Sequence, residues 1–143
     1  MADGYSDVRS DLRTLLLTVS GLPAVAWESR SYTPKVGVAY IEERLMPLGS
    51  PVATQGTTGW IREEFTYHLV LFSPMAETGL FEHEDLVGEI RKTFYPGYKI
   101  GGGINTYAGI IEEARRGPVD SEPDWRSTDI DVDGYFHRSA RVA

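Results

Sequence analysis

The chain has 143 residues, which suits one compact domain. Hydrophobic residues make up 41% and charged residues 24%, so a packed core is expected and disorder as the dominant state is excluded. The 21 acidic and 14 basic side chains leave a formal charge of -7, which argues against a nucleic-acid-binding or anionic-lipid-binding surface, and the absence of cysteine removes disulfides, Cys-ligated metals and thiol nucleophiles together.

In chain order, the first element is a helix. Val8, Leu12, Leu15, Leu16 and Val19 form one apolar stripe, Ser6 or Asp3 is the expected cap, and Asp7 suits the positive end of the dipole. Gly21 and Pro23 stop it. Ala24–Glu28 reads as a short strand and Val38–Leu45 as a better one. From Trp60 to Ser73, Phe65, Tyr67, Leu69 and Leu71 alternate with Glu64, Thr66 and His68, the period of a half-buried strand. A second helix is expected from Thr78 to Phe94, with Leu86, Val87, Ile90 and Phe94 inward. Lys99–Gly103 reads as a flexible turn. Strands follow over Ile104–Arg116 and Trp125–Arg138, joined by a proline-containing loop. This order predicts an α+β fold: a single domain over residues 1–143, with a mixed, mainly antiparallel sheet and two helices packed on one face. Pro47–Gly59 is rich in Gly, Ser and Thr and is expected to be a projecting arm, mobile until a neighbour orders it.

Candidate chemistry is sparse. Asp129-Ile130-Asp131-Val132-Asp133-Gly134 matches the first half of a calcium loop, with carboxylates at positions 1, 3 and 5 and glycine at 6. Position 12 would be Ala140, which offers no carboxylate, and flanking helical periodicity is missing. The segment reads better as a strand with Ile130, Val132 and Phe136 inward and the three aspartates outward. Gly101–Gly103 lacks the Lys and Ser/Thr of a phosphate loop, and His68, His83 and His137 are far apart. Glu42-Glu43 and Glu63-Glu64 read as solvated strand positions, and Arg115 and Arg116 as partners of Glu112 or Glu113. No enzymatic constellation emerges, so no catalysis, cofactor or metal is expected. The aromatics Trp27, Tyr32, Tyr40, Trp60, Tyr95, Tyr98, Tyr107, Trp125 and Tyr135 are many for a small core. They suit either a protein interface or a cover for the open face of the sheet.

Leu22-Pro23-Ala24-Val25-Ala26-Trp27-Glu28-Ser29-Arg30-Ser31-Tyr32-Thr33-Pro34-Lys35-Val36-Gly37 resembles the opening of a family of small bacteriophage tail-terminator proteins. Leu45-Met46-Pro47, Thr58-Gly59-Trp60-Ile61-Arg62, Leu71-Phe72-Ser73-Pro74 and Phe94-Tyr95-Pro96-Gly97 continue the likeness in order, over roughly residues 7–140. The resemblance implies a virion protein, assembled in the host cytoplasm, that forms a ring of six copies on the head-proximal end of a long, non-contractile tail tube. Such a ring ends tube growth and supplies the surface for head–tail joining. Its implied partners are itself, the tube protein and the head–tail connector, with DNA passing through the lumen unbound and no membrane involved. A closed ring needs two different patches per subunit. Tyr32, Lys35, Leu48, Val52, Gln55 and Trp60 are candidates for the subunit or tube interface, and Asp129, Asp131 and Asp133 for an acidic surface or lumen. An acidic lumen would let the duplex slide. The alternatives are another small virion component, such as a head-completion or tube protein, or a calcium module on the three aspartates.

Overall fold

The computed structural model describes residues 4–49, 60–100 and 107–139. Helix α1 (Tyr5–Leu16) arises where the apolar stripe was predicted, with Val8, Leu12, Leu15 and Leu16 buried. Its N-cap is Gly4, in the left-handed region at φ 94° and with no side-chain cap; Ser6, an expected cap, lies inside the helix, and Asp3 lies outside the described residues. Strand β1 (Ala24–Ala26) is followed by β2 (Tyr40–Gly49) and the 15-residue β3 (Trp60–Pro74). Helix α2 (Leu80–Thr93) begins after Gly79 rather than at Thr78. Then come β4 (Lys99–Ile100), β5 (Tyr107–Arg116), β6 (Asp120–Ser121) and β7 (Trp125–Ser139).

The seven strands form one sheet in the order β1-β2-β3-β7-β5-β4, with β6 pairing β7. Among the described residues, only β1 and β2 run parallel. The centre is the pairing of β3 with β7, continuous from Trp60 opposite Ser139 to Pro74 opposite Trp125. The fold is therefore α+β in a single domain, as predicted. Three local expectations are corrected. Pro47 to Gly49 extend β2 instead of starting an arm, while 50–59 lie outside the described residues. Lys99 and Ile100 pair with Ile110 and Gly109 as a strand rather than a turn, and the proline-containing loop holds β6.

The two helices cover one face of the sheet. Leu12, Leu16, Phe65, Leu69, Val87 and Ile90 are all wholly buried in one cluster, together with Ile130, Val132 and Phe136 from β7. Strand period decides what lies on the other face. Tyr40, Glu42 and Arg44 of β2, Thr66, His68 and Val70 of β3, and Asp129, Asp131 and Asp133 of β7 point away from the helices.

Both sheet edges are guarded. The outermost strands are three and two residues long. On β2 beyond β1, the Leu45 amide donates to Glu28 Oε1 at 3.0 Å, and Pro47, two residues further along that edge, has no N–H. On β5, the Ala114 carbonyl accepts from Arg91 Nε and the Ile111 carbonyl from the Gly97 amide. Such edges do not invite an added strand.

Candidate functional site

The long, regular β3–β7 pairing brings the polar open-face residues into transverse rows. Arg44, His68, Asp131 and Arg115 stand opposite one another across β2, β3, β7 and β5. His68 Nδ1 lies 2.6 Å from Asp131 Oδ1. In the next row Thr66 Oγ1 donates to Asp133 Oδ1 at 2.7 Å, and Arg115 Nε donates to Asp133 Oδ2 at 2.7 Å. Partial burial alone would raise the Asp133 carboxyl, but the hydrogen bonds from Arg115 and Thr66 outweigh it and hold the group below the usual carboxylate range.

These pairings settle the geometry of the three aspartates. They alternate along an extended strand on one face, outward as read from the sequence, with Ile130 and Val132 wholly buried between them. Asp131 and Asp133 are already engaged by His68, Arg115 and Thr66, so the three carboxylates do not converge as a calcium loop requires. The glycine that completed the motif match has a packing reason. A Cβ at Gly134 would lie 2.7 Å from both the Ile110 carbonyl oxygen and Phe65 Cζ, so only glycine lets the Phe65 ring cross β7 there.

A second polar cluster lies under the sheet. Sequence reading placed Glu43 and Glu63 in solvent, yet both are buried. Glu43 accepts from Arg13 Nη2 at 2.7 Å, from the Glu28 amide at 2.7 Å and from the Tyr67 hydroxyl at 2.5 Å. Burial first, then the Glu43 charge, pushes the Tyr67 hydroxyl far above an ordinary phenol. Glu63 accepts from Arg138 Nε at 2.8 Å and from the Tyr5 hydroxyl at 3.2 Å. The correction has one cause in both cases: each acid points to the helix face, where a cation and a tyrosine meet it. His83 is also wholly buried. Its ring nitrogens lie 2.7 Å from Ser73 Oγ and 2.7 Å from Thr128 Oγ1, tying α2 to β3 and β7. Burial holds its pKa below the ordinary imidazole value. Both ring nitrogens are engaged and Ser73, His83 and Thr128 are all buried, so the three side chains clamp the helix to the sheet.

The open face carries a cleft of about 600 Å³ where the loop after β1 folds back over β2 and β3. Trp27, Tyr32 and Tyr40 form its aromatic walls, and Arg30, Glu42, Arg44 and His68 line it. The Tyr32 and Tyr40 rings are 5.2 Å apart, and Tyr40 stacks on Phe72 at 4.7 Å and meets Trp125 edge-on at 5.5 Å. Part of the aromatic excess thus covers the open face of the sheet.

Of the six residues predicted at an interface, Tyr32 is in this cleft and Lys35 is exposed on its loop. Leu48, 58% exposed, sits near the end of β2, and Trp60 opens β3. Val52 and Gln55 lie outside the described residues. Arg30 and Arg44 were missed by sequence reading; the alternation of β2 could have found Arg44 once its apolar neighbours were assigned inward. Among the described residues, no helix is long and apolar enough to cross a membrane, and no cluster of three or more His, Asp or Glu is arranged to hold a metal.

The chain matches no protein-family model and no curated protein. It is similar to a solved structure known only by a sequence identifier, over 94% of this chain and 91% of the other, with a TM-score of 0.63 and 19% identity. At that identity the likeness is one of fold.

Proposed function

We propose that this chain is a tail terminator: a structural protein that closes into a ring on the head-proximal end of a phage tail tube, ends tube polymerisation and presents the head-joining surface. The observation that carries the reading is the family-like segment Leu22–Gly37. Its first half packs Leu22, Val25 and Trp27 against the core, and its second half turns outward. It forms a three-residue edge strand and a loop that exposes Arg30, Lys35 and Val36, the last 99% exposed. An exposed valine beside Arg30 and Lys35 supports placing a contact surface on this loop. The guarded sheet edges support the same view, because they leave side-chain surfaces rather than strand addition for assembly. The charge of -7 suits a channel that must not hold DNA.

Lateral contacts in such a ring can be weak, because the tube end presents several sites at once and multivalency reinforces them. The free protein is therefore expected to be monomeric or loosely associated when dilute, and ring-shaped on the tube. Native mass spectrometry across a concentration series, with class averages of tube ends carrying the protein, tests this. A closed ring on one tube end supports the reading. A head-completion or tube role would instead place the chain inside the connector or repeat it along the tube.

A further inference from the structure

Most arginines of this acidic chain are used within it. Arg9, Arg13, Arg62, Arg115, Arg116 and Arg138 pair with carboxylates. Arg30 and Arg44 line the open-face cleft with no ion pair among the described residues, and Lys35 is exposed on the same loop. The other acids of the cleft wall are engaged: Glu28 with Arg9 at 2.6 Å and Glu43 with Arg13 at 2.7 Å. Glu42 lines the cleft beside the two arginines, and the Arg44 charge also reaches Glu28. His68 is held by Asp131. The cleft thus holds two arginines without an ion pair among the described residues beside Trp27, Tyr32 and Tyr40, groups that suit an occupant both aromatic and acidic.

This chain displays such an occupant on the other half of its sheet. Helix α2 lies over β7 and β5, fixed by His83 to Thr128 and by Arg116 to Glu84. It opens with Leu80 and Phe81, 46% and 81% exposed. Glu82, Asp85 and Glu89 follow on its outer side at helical spacing, with no ion pair among the described residues. Phe81 and Asp85 are four residues apart and so are neighbours on the helix surface. A phenylalanine so exposed has no use within its own subunit and is the kind of side chain that anchors an interface.

We propose that Phe81, flanked by Glu82 and Asp85, of one copy seats in the Trp27–Tyr32–Tyr40 cleft of the next, with Arg30 and Arg44 meeting the two carboxylates. The two patches differ and lie on opposite halves of the sheet, so the contact is head-to-tail, the kind that a closed ring requires. It names the lateral partner of the ring proposed above and rests on that reading.

The test replaces Phe81 with the photo-crosslinker p-benzoylphenylalanine in the full chain. Isotopically light and heavy copies are mixed and irradiated over a concentration series up to the solubility limit. Light-to-heavy cross-links are expected within Trp27–Arg44. Arg44→Glu should cut their yield about tenfold, the scale of one lost charge contact at an interface, and adding Asp85→Arg in that background should restore it. Cross-links that map elsewhere, no intermolecular cross-links at all, or a double variant as weak as Arg44→Glu alone would each overturn the contact. Tails capped normally by a chain whose cross-links fail would leave the terminator reading standing without this contact. Cross-links as expected from a chain that caps nothing would uphold the contact and count against that reading.

Discussion

Removing the Glu43 carboxylate should be among the most damaging single changes to this fold. In Glu43→Ala, three donors lose their acceptor: Arg13 Nη2, the Glu28 amide and the Tyr67 hydroxyl. Tyr67 is wholly buried, so its hydroxyl is stranded, at a cost of about 1–3 kcal/mol for an unsatisfied buried group. Arg13 is better placed. Its side chain is 29% exposed and its guanidinium stacks over Trp27 at 5.0 Å, so part of its charge can turn to water. The expected total is about 3–5 kcal/mol, the range for breaking a buried pair from one side. That is a large share of the roughly 5–15 kcal/mol that holds a domain together. Urea unfolding followed by tryptophan fluorescence measures it. Adding Tyr67→Phe removes the stranded hydroxyl, so the double variant should be about 1–3 kcal/mol more stable than the sum of the single changes implies. A Glu43→Ala loss below about 1 kcal/mol, or strict additivity with Tyr67→Phe, would refute the idea that this acid is the node between α1, β2 and β3.

Leu16→Ala and Ile90→Ala each empty a wholly buried position between helix and sheet and should cost about 2–5 kcal/mol by the same assay; a loss below about 0.5 kcal/mol would mean that the stripe does not face the core. Burial keeps His83 neutral in the fold below the pH at which a free imidazole takes a proton, so the unfolded chain binds more protons there. Stability contributed by neutral His83 is fully present above about pH 6.5 and falls as the pH drops below it toward the lowered native pKa, by at most about 1.4 kcal/mol per pH unit. His83→Gln should flatten that slope, and an unchanged slope would assign it to another group. Gly134→Ala should destabilise by about 1–3 kcal/mol, because the new methyl meets the Phe65 ring and the Ile110 carbonyl. A melting temperature equal to the parent's would show that this crossing is looser than described.

The architecture was legible wherever one element states its own period. Val8 to Val19 repeat at helical spacing, and Phe65 to Leu71 alternate, so α1 and β3 follow from local pattern. The outward aspartates of β7 were equally plain, because Ile130 and Val132 separate them. What the sequence hid depends on distant partners. Glu43 and Glu63 look like solvent-facing acids until Arg13, Tyr67, Tyr5 and Arg138 are brought to them from 24 to 75 residues away. β4 and β6, two residues each, exist only because β5 and β7 present open ladder positions. His83 reads as a helix-start residue, and only the crossing of α2 over β3 and β7 makes it a clamp. The cleft is half visible: Tyr32 reads as an interface residue and the alternation of β2 turns Arg44 outward, but that Arg44 stands opposite His68 follows from the β2–β3 register, which no local pattern states.

The role proposed for this chain is to cap a tail tube. Electron microscopy of virions made from a genome lacking its gene, with and without the chain supplied in trans, tests this most directly. Tails of uncontrolled length that fail to join heads are expected when the chain is missing, and tails of uniform length joined to heads when it is restored. Tails of normal length attached to full heads in its absence would contradict it, and so would a complete absence of tails, which is the mark of a tube subunit.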